Sequence, residues 1–142
     1  MTPTQNKQLM QDIFTGLAEG DRRLFVESLS EEVSLEITGQ YSWSQTIRGK
    51  ERCLALYAYV QSRMSRRNKT RAFRFLADED WVVVEARGDM QTKEGNAYKN
   101  HYCMLYRLTD GKIVEMKEYQ DSTLGERVLG PFPAQLRPEL AA

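Results

Sequence analysis

From residue 71 to residue 121 the chain reads as strands in unbroken succession, over 71–77, 81–90, 96–109 and 113–121, with only short polar turns between them. The turns are Asp78-Glu79-Asp80, Thr92-Lys93-Glu94-Gly95 and Asp110-Gly111-Lys112. Asp-Gly is a strong hairpin signal, because both residues tolerate the left-handed backbone of a primed turn. Consecutive hairpins of this kind make an antiparallel meander. Nothing in this half of the chain can supply crossover helices, so a parallel α/β sheet is excluded and the class is α+β with segregated layers.

The helices come first. Leu9, Met10, Ile13, Phe14 and Leu17 recur at three- and four-residue steps, and Gly20 follows where a helix would stop. Asp21 can cap a short second helix carrying Leu24, Phe25 and Leu29, before Ser30-Glu31-Glu32 turns the chain. Val33, Leu35 and Ile37 then alternate with polar neighbours as a half-buried strand does. A polar loop over residues 40–47 holds Tyr41 and Trp43. A third helix runs from Gly49 to about Arg66 with Cys53, Leu54, Tyr57, Val60 and Met64 on its apolar side. The basic cluster Arg63, Arg66, Arg67, Lys69 and Arg71 surrounds its end, where positive charge suits the helix dipole. After Asp121 the residues Gly125, Gly130, Pro131, Pro133 and Pro138 predict an irregular tail over 122–142. The expectation is one domain over 1–142, with its core in 5–121.

A long antiparallel sheet covered by helices on one face must curl, and each strand then sorts its residues between a concave and a convex face. On the strand at 81–90, Trp81, Val83, Glu85, Arg87 and Asp89 form one set and Val82, Val84 and Ala86 the other. The Trp81 set is expected to enter the concavity, apolar at its start and charged at its end. The Val82 set, extended by Cys103 and Leu105, then needs cover from outside, and a two-fold copy of the same sheet is the expected cover. His101 falls on the same convex face with no second histidine for a metal, which gives it a structural role.

Bulk properties narrow the partners. Twenty Lys and Arg balance twenty Asp and Glu, so no net field draws the protein to nucleic acid or anionic lipid. No apolar run approaches the roughly 20 residues that cross a bilayer, and the polar start lacks a signal-peptide pattern. Cys53 and Cys103 have no metal-type spacing and read as free buried thiols, which suits a reducing cytoplasm. Phosphate loops, dinucleotide fingerprints, zinc clusters and serine elbows are absent from the sequence, and no cofactor is expected.

Tyr98-x-Asn100-x-Tyr102, then Asp110-Gly111-Lys112-Ile113, then Glu118-Tyr119-x-Asp121, all after a helical N-terminal region, resemble the SnoaL-like branch of the nuclear transport factor 2-like superfamily. The resemblance implies a cone: N-terminal helices packed in the concave face of a strongly curved antiparallel sheet, the cystatin-like α+β barrel. The superfamily includes ketosteroid isomerases, polyketide cyclases, limonene epoxide hydrolases and non-catalytic binders, so fold alone does not decide activity. Limonene epoxide hydrolases use an Arg-x-Asp pair and a last-strand acid, for which Arg87-Gly88-Asp89 and Glu118 stand in comparable places. That family's water-holding Tyr and Asn correspond to Leu35 and Ile37. The ketosteroid isomerase acid would fall near Leu35, Ile37 or Gly39, where no carboxylate stands.

These readings predict a cofactor-independent enzyme performing acid–base chemistry on a small, largely apolar molecule. Arg87, Asp89 and Glu118 would carry the chemistry, and Leu35, Ile37, Trp43, Tyr57, Phe73, Asn100, Tyr102 and Met116 would bind the substrate. Trp43 is the candidate lid, and Asp121 is expected to cap the turn after the last strand. The other reading is a non-catalytic binding or assembly module in which Leu35 and Ile37 keep the pocket too dry for a reactive water.

Overall fold

The computed structural model describes residues 1–137, so Pro138 and the rest of the predicted tail lie outside the described residues. Helix α1 (Pro3–Ala18) starts at a capping box: Thr2 and Gln5 exchange side-chain-to-backbone hydrogen bonds of 2.8 and 3.1 Å, and Pro3 opens the first turn. It ends where Gly20 takes φ +80°, and a Cβ there would stand 2.8 Å from Cδ of Arg67. Its buried face is Met10, Ile13 and Phe14, and Phe14 meets Phe75 and Tyr106 edge-on at about 6 Å between ring centroids.

Next come α2 (Arg23–Ser28), β1 (Leu29–Ile37), β2 (Gln45–Arg48) and α3 (Lys50–Ser62). The meander follows as β3 (Lys69–Asp78), β4 (Trp81–Gln91), β5 (Ala97–Tyr98), β6 (His101–Thr109) and β7 (Lys112–Gln120). Asp110 and Gly111 hold φ of 49° and 78°, the left-handed pair that a tight β6–β7 turn requires. Strand order is β2-β1-β7-β6-β4-β3, with the short β5 paired to β4.

Several local expectations are corrected. The sheet is mixed, because β1 runs parallel to β7. Residues 30–32 belong to β1 rather than to a turn, and the end of the polar loop forms β2. The segment after Asp121 is ordered as α4 (Ser122–Leu129), whose N-terminus Asp121 caps by accepting from the Leu124 N–H at 3.1 Å.

The concave face can be read from the register. Leu35, Met116, Tyr106, Val82 and Ala77 make one row across five strands, and Ile37, Glu118, Met104, Val84 and Phe75 make the next. Gln120, Tyr102, Ala86 and Ala72 form a third row. The rows grade from apolar side chains with one phenol, through one carboxylate, to an amide and a second phenol. The faces of β4 are therefore the reverse of the expected ones. Val82, Val84 and Ala86 are fully buried in the core, whereas Glu85, Arg87 and Asp89 point outward. A dimer seam built on Val82, Val84 and Ala86 is thus ruled out. Of the cysteines, Cys53 is buried and Cys103 is exposed on the outer face, against the expectation of two buried thiols.

Candidate functional site: a tyrosine-ringed cavity around Glu118

Between α1, α3 and the concave sheet lies a cavity of about 200 Å³. Among the described residues Glu118 is the single carboxylate in its lining. Strand alternation puts Glu118 on the same face as Met116 and Gln120, and the parallel pairing with β1 sets Ile37 beside it. Among the described residues no basic side chain pairs with it, and burial raises its carboxyl from 4.5 to about 7.

One hydrogen-bond network holds the rim above Glu118. Asn100, completely buried, reaches the Tyr98 hydroxyl, Gln120 Oε1 and the Asp121 carbonyl through Nδ2 at 3.0–3.1 Å. Its Oδ1 accepts from the His101 and Asp121 N–H groups at 2.8 and 3.0 Å. Tyr98 donates to Gln120 Oε1 at 3.2 Å. With its oxygen so occupied, Gln120 turns Nε2 toward the Tyr41 hydroxyl at 3.1 Å and Glu118 Oε2 at 3.2 Å. Room for the network depends on two glycines. A Cβ on Gly88 would lie 3.2 Å from the Tyr102 ring, and one on Gly125 would lie 3.4 Å from the Tyr98 hydroxyl.

Burial, then the negative charge of Glu118, pushes the Tyr41, Tyr57 and Tyr106 hydroxyls well above their ordinary pKa. These phenols stay protonated and can only donate or accept hydrogen bonds. The arrangement provides one carboxyl poised to gain or lose a proton near neutrality, inside a mostly apolar chamber with fixed hydroxyls, whose lining also includes Arg22 and Arg67.

Glu118, Ile37, Trp43, Tyr57 and Tyr102 line the cavity. Leu35 and Met116 lie buried in the row below, and Asn100 stands behind the wall as the centre of the rim network. Trp43 is fixed rather than lid-like: its indole N–H donates to the Gly130 carbonyl at 2.8 Å, and Phe132 packs edge-on at 5.0 Å. Phe73 is not at the site. A bulge between Ala72 and Arg74 turns it outward, 51% exposed and 5.8 Å from the His101 ring. Arg87 and Asp89 are also outside, and Asp89 pairs with Arg66 at 3.1 Å on the surface. Tyr41 and Tyr106 also line the cavity, and so do Tyr98 and Gln120, to which the sequence assigns no pocket role. The Tyr106-Met104-Tyr102 alternation was a usable signal, since it shares a face with Asn100.

The SnoaL-like domain family model matches residues 10–116, and the chain belongs to that family. No curated protein matches it. Among solved structures, a protein from Jannaschia sp. CCS1 proposed as a SnoaL-like polyketide cyclase superposes with a TM-score of 0.74 at 18% identity, over 94% of this chain and 98% of that one. TerC, co-crystallised with polyporic acid, gives 0.73 at 17% identity over 90% and 98%. A cystatin-like-fold protein from Xanthomonas campestris gives 0.69 at 24% identity over 84% and 94%. At these identities the likeness establishes a shared nuclear transport factor 2-like, cystatin-like fold.

Proposed function

We propose that the protein is a cofactor-independent enzyme that moves a proton at a carbon beside a carbonyl, with Glu118 as the proton carrier. The observation that carries this reading is a lone, unpaired carboxyl with a pKa of about 7 in an apolar, tyrosine-ringed cavity. In the ionised form Glu118 takes a proton from the α-carbon; the C–H electron pair becomes the C=C of an enolate, and the carbonyl π pair moves onto oxygen. Protonated Glu118 then returns the proton to another carbon, which isomerises the substrate. Alternatively the α-carbon attacks a second carbonyl and the new alkoxide takes the proton, which closes a ring. A catalytic acid near pKa 7 suits both halves of such a cycle at neutral pH. The family's inclusion of enzymes and the fold shared with a proposed polyketide cyclase support this class. Epoxide opening by an Arg-Asp-Glu constellation is not supported, because Arg87 and Asp89 face away from Glu118.

The test is deuterium exchange at the α-position of small cyclic ketones, followed by NMR. Wild type should accelerate exchange, and Glu118→Gln should lose at least about a hundredfold of that acceleration, the lower end of general-base contributions. Equal exchange by both proteins would overturn the assignment. Ketones that raise the melting temperature without exchanging would leave the pocket a binding site alone.

We also propose that a second copy of the chain covers the outer sheet face. Leu76, Val83 and Leu105 run side by side across β3, β4 and β6 on that face, with Leu76 59% exposed. Two ion pairs beside them are made within the chain, Arg74 with Glu85 at 3.0 Å and Lys117 with Glu36 at 3.9 Å.

A further inference from the structure

Among the described residues, two phenol hydroxyls in the cavity of Glu118 find only sulfur as a partner. Tyr57 directs its hydroxyl at Met116 Sδ, 3.9 Å away, and Tyr106 directs its own at Met104 Sδ, 3.3 Å away. A thioether is a weak acceptor, whereas buried hydroxyls in native proteins nearly always reach oxygen or nitrogen. Both tyrosines line the same cavity as Glu118. Neither bonds to Glu118 among the described residues.

The register explains the convergence. Tyr106 is paired with Met116 and Met104 with Glu118, so Tyr106, leaning along its strand to Met104, brings its hydroxyl to the Glu118 row. Tyr57 comes from α3 on the opposite wall and reaches the row below, where Met116 sits.

We infer that the Tyr57 and Tyr106 hydroxyls form a subsite for an acceptor oxygen of the ligand, so that the pocket selects apolar rings bearing a ketone or enol oxygen over the bare hydrocarbon. This rests on the proton-transfer reading for its catalytic meaning: the two donors would hold the oxygen that becomes negative when Glu118 removes the α-proton. The O–H protons stay on the phenols, and the α-proton alone changes owner.

Binding of 2-naphthol and of naphthalene to the purified full chain, by fluorescence titration, separates the subsite from the chemistry. Wild type should prefer 2-naphthol by at least tenfold. Tyr57→Phe and Tyr106→Phe should each lose several-fold of that preference, and the double variant nearly all of it, with naphthalene binding unchanged as the check on folding. Preference retained in the double variant, or absent in wild type, overturns the subsite. Ketone exchange gives the other arm. Lost exchange in Glu118→Gln with the naphthol preference intact supports both assignments. No exchange in wild type, with a tyrosine-dependent naphthol preference, keeps the subsite and removes the proton-transfer reading.

Discussion

Gln120 places its side-chain nitrogen 3.2 Å from Oε2 of Glu118, two residues earlier on the same face of β7. The direction of that amide is not free, because Tyr98 and Asn100 both donate to its oxygen. An N–H directed at a carboxylate favours the ionised form, so Gln120 opposes the upward push that burial gives Glu118. Replacing Gln120 with Leu should raise the Glu118 pKa above 7 by about one unit, the size of one hydrogen bond to a charged group. The acid limb of the pH–rate profile for ketone exchange should move up by the same amount, and an unmoved limb would mean that the contact does not act on the carboxyl.

Glu118 also sets a pH dependence of stability. Its folded pKa of about 7 lies above the ordinary 4.5, so the folded state holds the proton more tightly than the unfolded chain does. Below pH 4.5 both states are protonated and no penalty exists. As pH rises from 4.5 to 7 the unfolded chain ionises first and stability falls; above 7 the loss is complete. At 1.36 kcal/mol per unit the full effect is up to about 3 kcal/mol. Glu118→Gln should therefore be more stable than wild type at pH 8 by up to about 3 kcal/mol, with the gain vanishing near pH 4. Urea melts of both proteins at the two pH values measure it. Comparison of the two removes contributions from other titrating groups, such as Glu85, whose pKa is lowered by His101 and Arg74.

Asp89 provides the opposite control. It lies outside the cone, half exposed, with Arg66 holding its pKa below the ordinary range. Exposed ion pairs are worth under about 1 kcal/mol, so Asp89→Asn should shift the melting temperature little and leave ketone exchange within twofold of wild type. A hundredfold loss would restore Asp89 to the chemistry.

The misplacement of Asp89 shows how far the sequence could be read. The order of elements and the alternation of each strand were legible, because period and turn chemistry are local. Which alternating set of β4 faces inward was not, since Trp81 and Val83 are as apolar as Val82 and Val84, and a one-residue shift of register exchanges the faces. The unused clue lay further along: one set carries Glu85, Arg87 and Asp89, while the other stays uncharged through Gly88, where the Tyr102 ring needs the space. Phe73 failed for a different reason. A single inserted residue at a bulge leaves no mark in a hydrophobic pattern, yet it reverses the face of its neighbours. Glu118 was readable because Met116, Glu118 and Gln120 keep one alternation to the end of β7. The parallel pairing that sets Ile37 beside Glu118 joins residues 81 positions apart, and no local pattern encodes it.

The outward row Leu76, Val83 and Leu105 leads to the last prediction. Phe73 and Tyr119 flank it, 51% and 46% exposed, so large apolar side chains concentrate on one face of the sheet. Burying a Leu- or Val-sized side chain is worth roughly 1.5–3 kcal/mol before the costs of association, and a two-fold pairing buries each contribution twice. Wild type should sediment as a dimer at micromolar concentration. Leu76→Asp, on the surface and away from the core, should weaken the dimer at least tenfold while leaving the melting temperature of the monomer within a few degrees. Val84→Asp should behave differently, because Val84 has no exposed surface: a buried unpaired carboxylate would unfold the chain rather than dissociate it. A monomeric wild type would refute the pairing, and a Leu76→Asp dimer as tight as wild type would move the seam to another surface.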